Sequence, residues 1–158
     1  MTIVYIAAGS NLGNRETYLS FAREALTKTP GVRFLRASQV YETLPQGGPP
    51  QGKFLNAVWE IQTSLLPREL LEKLLAIEKN FGRERKIKNG PRTIDLDIIF
   101  YGDLAIDQDD LTIPHPRLSE RWFVLKPLWD LASDFVHPIS GKSVCELLDE
   151  FSASHSVA

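Results

Sequence analysis

The chain has one cysteine, one methionine and three histidines among its 158 residues. A lone thiol, Cys145, excludes an intrachain disulfide and fits a reducing compartment. No apolar run approaches the roughly 20 residues of a membrane-spanning helix. The opening stretch, Met1 to Gly9, has no basic residues ahead of its apolar run, so a signal peptide is not expected and a cytoplasmic location is. Internal repeats and low-complexity tracts are missing. Neither sign of charge dominates: 18 Lys and Arg against 20 Asp and Glu leave a net charge of −2. That balance argues against a general nucleic-acid binder and confines any basic site to a local cluster. No Ser/His/Asp or Cys/His constellation stands out for nucleophilic catalysis.

What is present reads as an ordinary globular chain, 43% apolar and 24% charged, expected to form one domain over residues 1–158. Its centre of interest is the stretch Gly90-Pro91-Arg92-Thr93-Ile94-Asp95-Leu96-Asp97-Ile98-Ile99-Phe100. From Thr93 it reads as a strand. Ile94, Leu96 and Ile98 point one way; Asp95, Asp97 and Ile99 point the other. Aspartate is a poor strand former. Two on one face lie about 6–7 Å apart along the backbone and repel each other unless a hard cation sits between them. Two oxygen-ligated ions suit that geometry. A solvated outer face is the plainer explanation. Against it stands the segment just upstream, where Arg83, Arg85, Lys86, Lys88 and Arg92 accompany a single acid, Glu84. Arginine forks suit phosphate oxygens. A basic loop running into an acidic strand is where a polyphosphate would meet its metal.

Around that stretch the predicted elements fall in order. Ile3 to Ala8 is a β-branched strand, followed by a turn over Gly9 to Asn14. Asn14 caps a helix with Glu16 in its first turn, running to about Thr29 and stopped by Pro30-Gly31. Val32 to Glu42 reads as one strand, with Leu35, Ala37 and Tyr41 sharing a face. Phe54 to Thr63 is another: Leu55, Ala57, Trp59 and Ile61 face one side, and Phe54, Asn56 and Val58 the other. Pro67 opens a second helix carrying Leu70, Leu71, Leu74, Leu75, Ile77 and Phe81, ended by Gly82. With the acidic strand this gives an α+β, ferredoxin-like βαββαβ core, an antiparallel sheet with helices packed on it. A C-terminal extension adds a hairpin (Leu104 to Ile106 and Leu111 to Ile113, turning through residues 107–110). A helix over Leu118 to Ala132, interrupted at Pro127, and a last helix over Ser143 to Phe151 complete it.

Two loops are long for their connections, Thr43 to Lys53 and Arg83 to Pro91, and read as lids. Within the first, Gly47-Gly48-Pro49-Pro50-Gln51-Gly52-Lys53 has the spacing of a P-loop. It is rejected: Phe54 follows where a hydroxyl is needed, two prolines lack N–H groups, and no helix begins there. Asn56 could read a heterocycle edge, with an aromatic beside it to stack. His115, in the stiff run Pro114-His115-Pro116-Arg117, could donate to a phosphate or ribose.

Together these residues resemble the 6-hydroxymethyl-7,8-dihydropterin pyrophosphokinase family of folate synthesis. Gly90 to Ile99 matches its signature. Tyr5 to Gly13 is similar to its opening strand and turn, as are Phe54-Leu55-Asn56-Ala57 and Leu111 to Arg117 to further stretches. The resemblance implies transfer of pyrophosphate from ATP to the hydroxymethyl group of a reduced pterin, releasing AMP. It implies that Asp95 and Asp97 hold two Mg²⁺ ions, and that Arg83, Arg92, Asp95 and Asp97 are catalytic. Arg83, Arg92, Ile98, His115 and Arg121 would contact ATP. Thr43, Leu44, Gln46, Phe54, Asn56, Asp95 and Phe123 would bind the pterin, with Phe54 and Phe123 sandwiching its ring. Glu78 matches a helix acid of the family pattern without an assigned role. The implied partners are these two small molecules, with no nucleic acid, membrane or obligate protein partner. Asn89, Pro116 and Phe54 depart from the tryptophan and two tyrosines often found at those positions. Without the resemblance, a two-metal phosphodiesterase or nuclease, or a non-catalytic ligand-binding module, would use the same carboxylates or the same fold.

Overall fold

A computed structural model describes residues 1–45, 50–81 and 93–155. Gln46, Arg83 and Arg92, with the rest of the basic segment, lie outside the described residues.

Strand β1 (Thr2–Ser10) is the spine. It is longer than its apolar run implied, because Gly9 and Ser10 continue pairing with Asn56 and Leu55 instead of turning. Helix α1 (Arg15–Thr27) follows; the Asn14 side chain accepts the Thr17 N–H at 3.1 Å, the expected cap. It buries Leu19, Ala22 and Leu26. The predicted single strand over Val32 to Glu42 is two: β2 (Val32–Ala37) and β3 (Tyr41–Thr43), both pairing with β4 (Phe54–Thr63). A register irregularity between Phe34 and Arg36 breaks the two-residue period. Ala37, paired with Trp59, packs beside the helix-face core; the register slips again between β2 and β3, so Tyr41 pairs with Asn56 and bonds to an acid on the opposite face. Leu35, Ala37 and Tyr41 therefore do not share a face as predicted.

Helix α2 (Pro67–Asn80) starts with proline, and the Glu69 carboxylate accepts the Leu66 N–H at 2.8 Å. Strand β5 (Asp95–Tyr101) begins two residues later than predicted. The sheet order is β2-β4-β1-β5 with every pair antiparallel, the ferredoxin-like arrangement; β3 extends alongside β4.

Beyond the core, β6 (Ile106–Gln108) and β7 (Leu111–Ile113) form the hairpin, pairing Gln108 with Leu111. It turns through Asp109 and Asp110 alone, tighter than expected. The break predicted at Pro127 falls instead at Arg121, between a 3-10 turn (Leu118–Glu120) and α3 (Trp122–Ala132). Pro127 sits inside α3 and is buried with Val124, Leu125 and Leu128. Burial of four side chains, about 1.5–3 kcal/mol for each large apolar one, outweighs the roughly 3 kcal/mol that an interior proline costs. Helix α4 (Val144–Ser154) opens with a capping box: Ser143 and Glu146 each accept the other's N–H through their side chains.

Two cores result. Val4, Ile6, Leu70, Leu74, Ile94, Leu96 and Ile98 belong to the cluster under α1 and α2. Tyr5, Val58, Ile99, Phe100, Leu125 and Leu128 belong to the cluster under α3 and α4. The second cluster covers only part of its face. Its uncovered end is the site.

Candidate functional site

At that end the sheet's residues become small. Ala7, Ala8 and Gly9 of β1 floor a pocket of about 150 Å³. Its walls are Thr43, Leu44, Phe54, Asn56, Asp95, Asp97, Arg117, Glu120, Arg121, Phe123 and Val124. Strand register explains the convergence. Gly9 pairs with Asp95 on one side and Asn56 on the other, Ala7 pairs with Asp97, and Thr43 pairs with Phe54. Three strands, β3, β4 and β5, thus deliver a hydroxyl, an amide, an aromatic ring and two carboxylates to one place above the floor of β1.

Asn56 is 8% exposed, not the solvent-facing residue its pattern allowed. Its Nδ2 donates to the Thr43 hydroxyl, itself buried. The Oδ1 end lies over Gly9, where a built Cβ would approach it to 2.9 Å. Glycine here is a requirement of close approach, not of unusual backbone. With Thr43 holding one end, the amide presents a fixed edge to the pocket. Phe54 comes from β4 and Phe123 from α3, and both line the same space. Arg121 sits 5.9 Å from the Phe123 ring, over its face.

Asp95 and Asp97 line the pocket while Ile94, Leu96 and Ile98 are buried in the helix-side core. The predicted alternation therefore holds. Ile98 is 6% exposed with its side chain in that core, so only its backbone is available to a nucleotide. Two carboxylates with room for water and phosphate oxygens fit Mg²⁺, which takes one or two carboxylates plus substrate oxygens rather than an all-protein cage. Among the described residues no group of three or more His, Cys, Asp or Glu could hold a metal. Two carboxylates form a hard oxygen donor pair of the kind that suits Mg²⁺.

His115 lies beside the pocket rather than in its lining. Its N–H donates to the Ile99 carbonyl at 3.1 Å, and its Nδ1 accepts the Arg117 N–H at 3.2 Å. The Ile113–Pro114 peptide just before it is cis. Burial, and then the Arg121 charge, push its pKa down to about 4, with Asp95 opposing. The ring is therefore neutral at pH 7. Because Nδ1 is an acceptor, Nε2 carries the proton and can donate.

Beneath the pocket a polar cluster ties α3 to the sheet. The Tyr5 hydroxyl donates to Glu60 at 2.6 Å, and Arg36 forks onto the same carboxylate at 3.1 and 2.9 Å while also bonding the Leu131 carbonyl. Burial alone would raise the Glu60 pKa; the bonds from Arg36 and Tyr5 outweigh it and hold the carboxyl low. Burial and Glu60 together push Tyr5 up. The Tyr41 hydroxyl bonds Asp130 near the end of α3, which with burial pushes that phenol up to about 12. The helix carrying Phe123 is thereby fixed to the strands carrying Thr43 and Asn56. On the outer side, Asn11 donates to Gln51 and to the Gly52 carbonyl at 2.8 and 3.0 Å, anchoring the end of the first long loop.

Of the predicted site residues, Thr43, Leu44, Phe54, Asn56, Asp95, Asp97, Arg121 and Phe123 converge; His115 is adjacent and Ile98 turns away. Reading the sequence missed Arg117 and Glu120, an ion pair at 3.3 Å on the pocket rim. It also missed the role of the small run Ala7-Ala8-Gly9. Small residues closing a strand that is otherwise bulky were the available signal. Glu120 offered none.

The antiparallel ferredoxin-like sheet thus joins paired carboxylates to two aromatic rings and an amide along one open pocket. The chain belongs to the 7,8-dihydro-6-hydroxymethylpterin-pyrophosphokinase family, whose model matches residues 5–133. It is 48% identical over 129 residues to the 2-amino-4-hydroxy-6-hydroxymethyldihydropteridine pyrophosphokinase of Bacillus subtilis, covering 82% of this chain and 77% of that one. The protein of the same name from Synechocystis is 44% identical over 145 residues, covering 92% and 74%. The folic acid synthesis protein fol1 of Pneumocystis carinii is 48% identical over 147 residues, 93% of this chain; the match spans only 20% of that longer protein. Among solved structures, the wild-type HPPK-DHPS of Plasmodium falciparum superposes with a TM-score of 0.76 over 99% of this chain and 46% of that one. At 13% identity that likeness speaks to the fold.

Proposed function

We propose that the protein transfers pyrophosphate from ATP to 6-hydroxymethyl-7,8-dihydropterin, releasing AMP, as a Mg²⁺-dependent step of folate synthesis. The observation that carries this reading is that Asp95 and Asp97 share one pocket with Asn56, Phe54 and Phe123. A phosphodiesterase has use for the acids but none for the heterocycle slot. A ligand-binding module has use for the slot but none for the acids.

In this reading the pterin lies between Phe54 and Phe123, its edge bonded to Asn56, with Thr43 fixing the amide. Its hydroxymethyl oxygen then points toward Asp95 and Asp97. That oxygen gives up its proton to solvent and forms a bond to the β-phosphorus of ATP, and the bond from that phosphorus to the α-bridging oxygen breaks, leaving AMP. Mg²⁺ held by Asp95 and Asp97 would neutralise charge on the triphosphate. The neutral His115 donates through Nε2, and Arg121 and Arg117 offer positive charge at the rim. Arg83 and Arg92 complete the phosphate contacts. Such a transfer needs positioning and charge neutralisation more than a covalent intermediate. Every step is compatible with a cytoplasmic protein; among the described residues no helix is long and apolar enough to cross a membrane.

The test is to incubate the protein with ATP, Mg²⁺ and 6-hydroxymethyl-7,8-dihydropterin and to follow AMP together with the pterin diphosphate. Stoichiometric formation of both, abolished by chelating the metal, is expected. AMP or ADP formed at the same rate without the pterin would contradict the reading.

A further inference from the structure

Glu78 is an ionisable side chain placed where charge is costly. It lies in the last turn of α2 and is 2% exposed, facing the apolar cluster of Leu74, Ile77, Ile94 and Leu96. Its Oε2 accepts the backbone N–H of Leu96 at 2.8 Å. Leu96 is the residue between Asp95 and Asp97. Strand β5 is the outermost strand of the sheet order, with β1 on its inner side. Along such a strand alternate amides point outward, away from the neighbour. The Leu96 amide is one of these, and a helix side chain has taken the place a further strand would fill. A carboxylate accepting a backbone N–H makes a bond about twice as strong as a neutral one. An unmet Leu96 amide in this core would cost about 1–3 kcal/mol.

We propose that Glu78 is a positioning residue for the paired acids: by holding the Leu96 amide it fixes the backbone between Asp95 and Asp97, and with it the spacing and aim of their carboxylates. This rests on the reading of Asp95 and Asp97 as the metal-binding pair. Residues that orient metal ligands from behind commonly shift metal affinity or activity by about 10–100-fold when removed. Glu78 does this through the main chain, from the face of β5 opposite to the site.

The test uses the full chain with three variants. It reads amide hydrogen exchange at Leu96, affinity for Mn²⁺ in the presence of a nonhydrolysable ATP analogue, and kcat against KM for the pterin. Glu78→Met keeps length and removes the acceptor. It should speed Leu96 exchange at least tenfold, weaken Mn²⁺ binding about tenfold and lower kcat, while the pterin KM stays within about twofold. Glu78→Gln keeps one neutral acceptor and should fall between, with about a threefold loss of Mn²⁺ affinity. Should Glu78→Met fail to fold, Glu78→Gln decides, since unchanged exchange and unchanged Mn²⁺ affinity in it would overturn the proposal. A folded Glu78→Met with wild-type Mn²⁺ affinity would overturn it as well. Asp97→Asn separates the two layers: it should lose Mn²⁺ binding with Leu96 protection intact. If Asp97→Asn binds Mn²⁺ normally, the metal reading itself fails, whatever Glu78 does.

Discussion

The two faces of the sheet are built from the same strands yet to different ends. In β5, Ile94, Leu96 and Ile98 enter the core under α1 and α2, while Asp95 and Asp97 enter the pocket one residue out of phase. In β4, Leu55, Trp59 and Ile61 take the first face and Phe54, Asn56 and Glu60 the second. The helix face is apolar and closed, with Leu70 and Leu74 fully buried. The site face buries polar groups that each need a partner: Thr43 with Asn56, Tyr5 and Arg36 with Glu60. The face under α1 and α2 is therefore given to packing, whereas the opposite face divides between a second apolar core under α3 and α4 and the chemistry at its open end. Glu78 is the exception, a polar group on the packing face that serves the site through the backbone.

If that division holds, substitutions should separate cleanly into two kinds. The largest expected effect is that of Asp97→Ala, which should lower turnover roughly 10³-fold or more, the several kcal/mol of lost charge stabilisation. Its melting temperature should move by only a few degrees, since the substitution lies outside both apolar cores. Turnover near wild type, measured by AMP release, would remove the acids from the chemistry. Next, Leu74→Ala on the helix face should cost about 2–5 kcal/mol in denaturant unfolding. Its kcat per folded molecule should stay within about twofold. A large loss of kcat in the folded fraction would show that the faces are not separable.

Asn56→Ala should raise the pterin KM about 10–100-fold, because it strands the Thr43 hydroxyl and removes the heterocycle contact. Its ATP affinity should hold. Equal losses for both substrates would place Asn56 outside the pterin slot.

The smallest effect concerns pH. His115 has its folded pKa pushed from about 6.5 to about 4 by burial. The unfolded chain takes up the proton first as pH falls. Stability linked to keeping this ring neutral is therefore complete above pH 6.5 and lost progressively toward pH 4. His115→Gln should flatten that part of the stability profile by roughly 1 kcal/mol, about 2–4 °C in Tm. An unchanged slope between pH 7 and pH 4.5 would mean that the ring is not held neutral.

Periodicity made most of the fold legible. The strand order follows from the βαββαβ sequence of elements, and the facing of Asp95, Asp97, Phe54 and Asn56 follows from alternation. What was illegible lies where local pattern yields to packing. The irregularity at Phe34 to Arg36 and the second slip between β2 and β3 shift the faces downstream, and no residue there announces them. Pro127 reads as a breaker, yet burial of its neighbours overrides that preference. Pattern alone does not decide whether Asn56 is exposed or buried, because its partner Thr43 lies on another strand. Glu78 reads as a polar residue in an amphipathic helix; only the outward amide of an edge strand, a tertiary fact, gives it a purpose. Arg117 and Glu120 reach the pocket from the cap and the end of the 3-10 turn before α3, where the sequence reads as the start of a single helix.

The most direct single measurement is titration of Asp97→Asn and the unaltered protein with Mn²⁺ in the presence of a nonhydrolysable ATP analogue, followed by the paramagnetic signal of bound metal. The unaltered protein should take up metal together with nucleotide and the variant should not, with both remaining folded. Equal uptake by the two would contradict the assignment of Asp95 and Asp97 as the centre that the rest of the pocket serves.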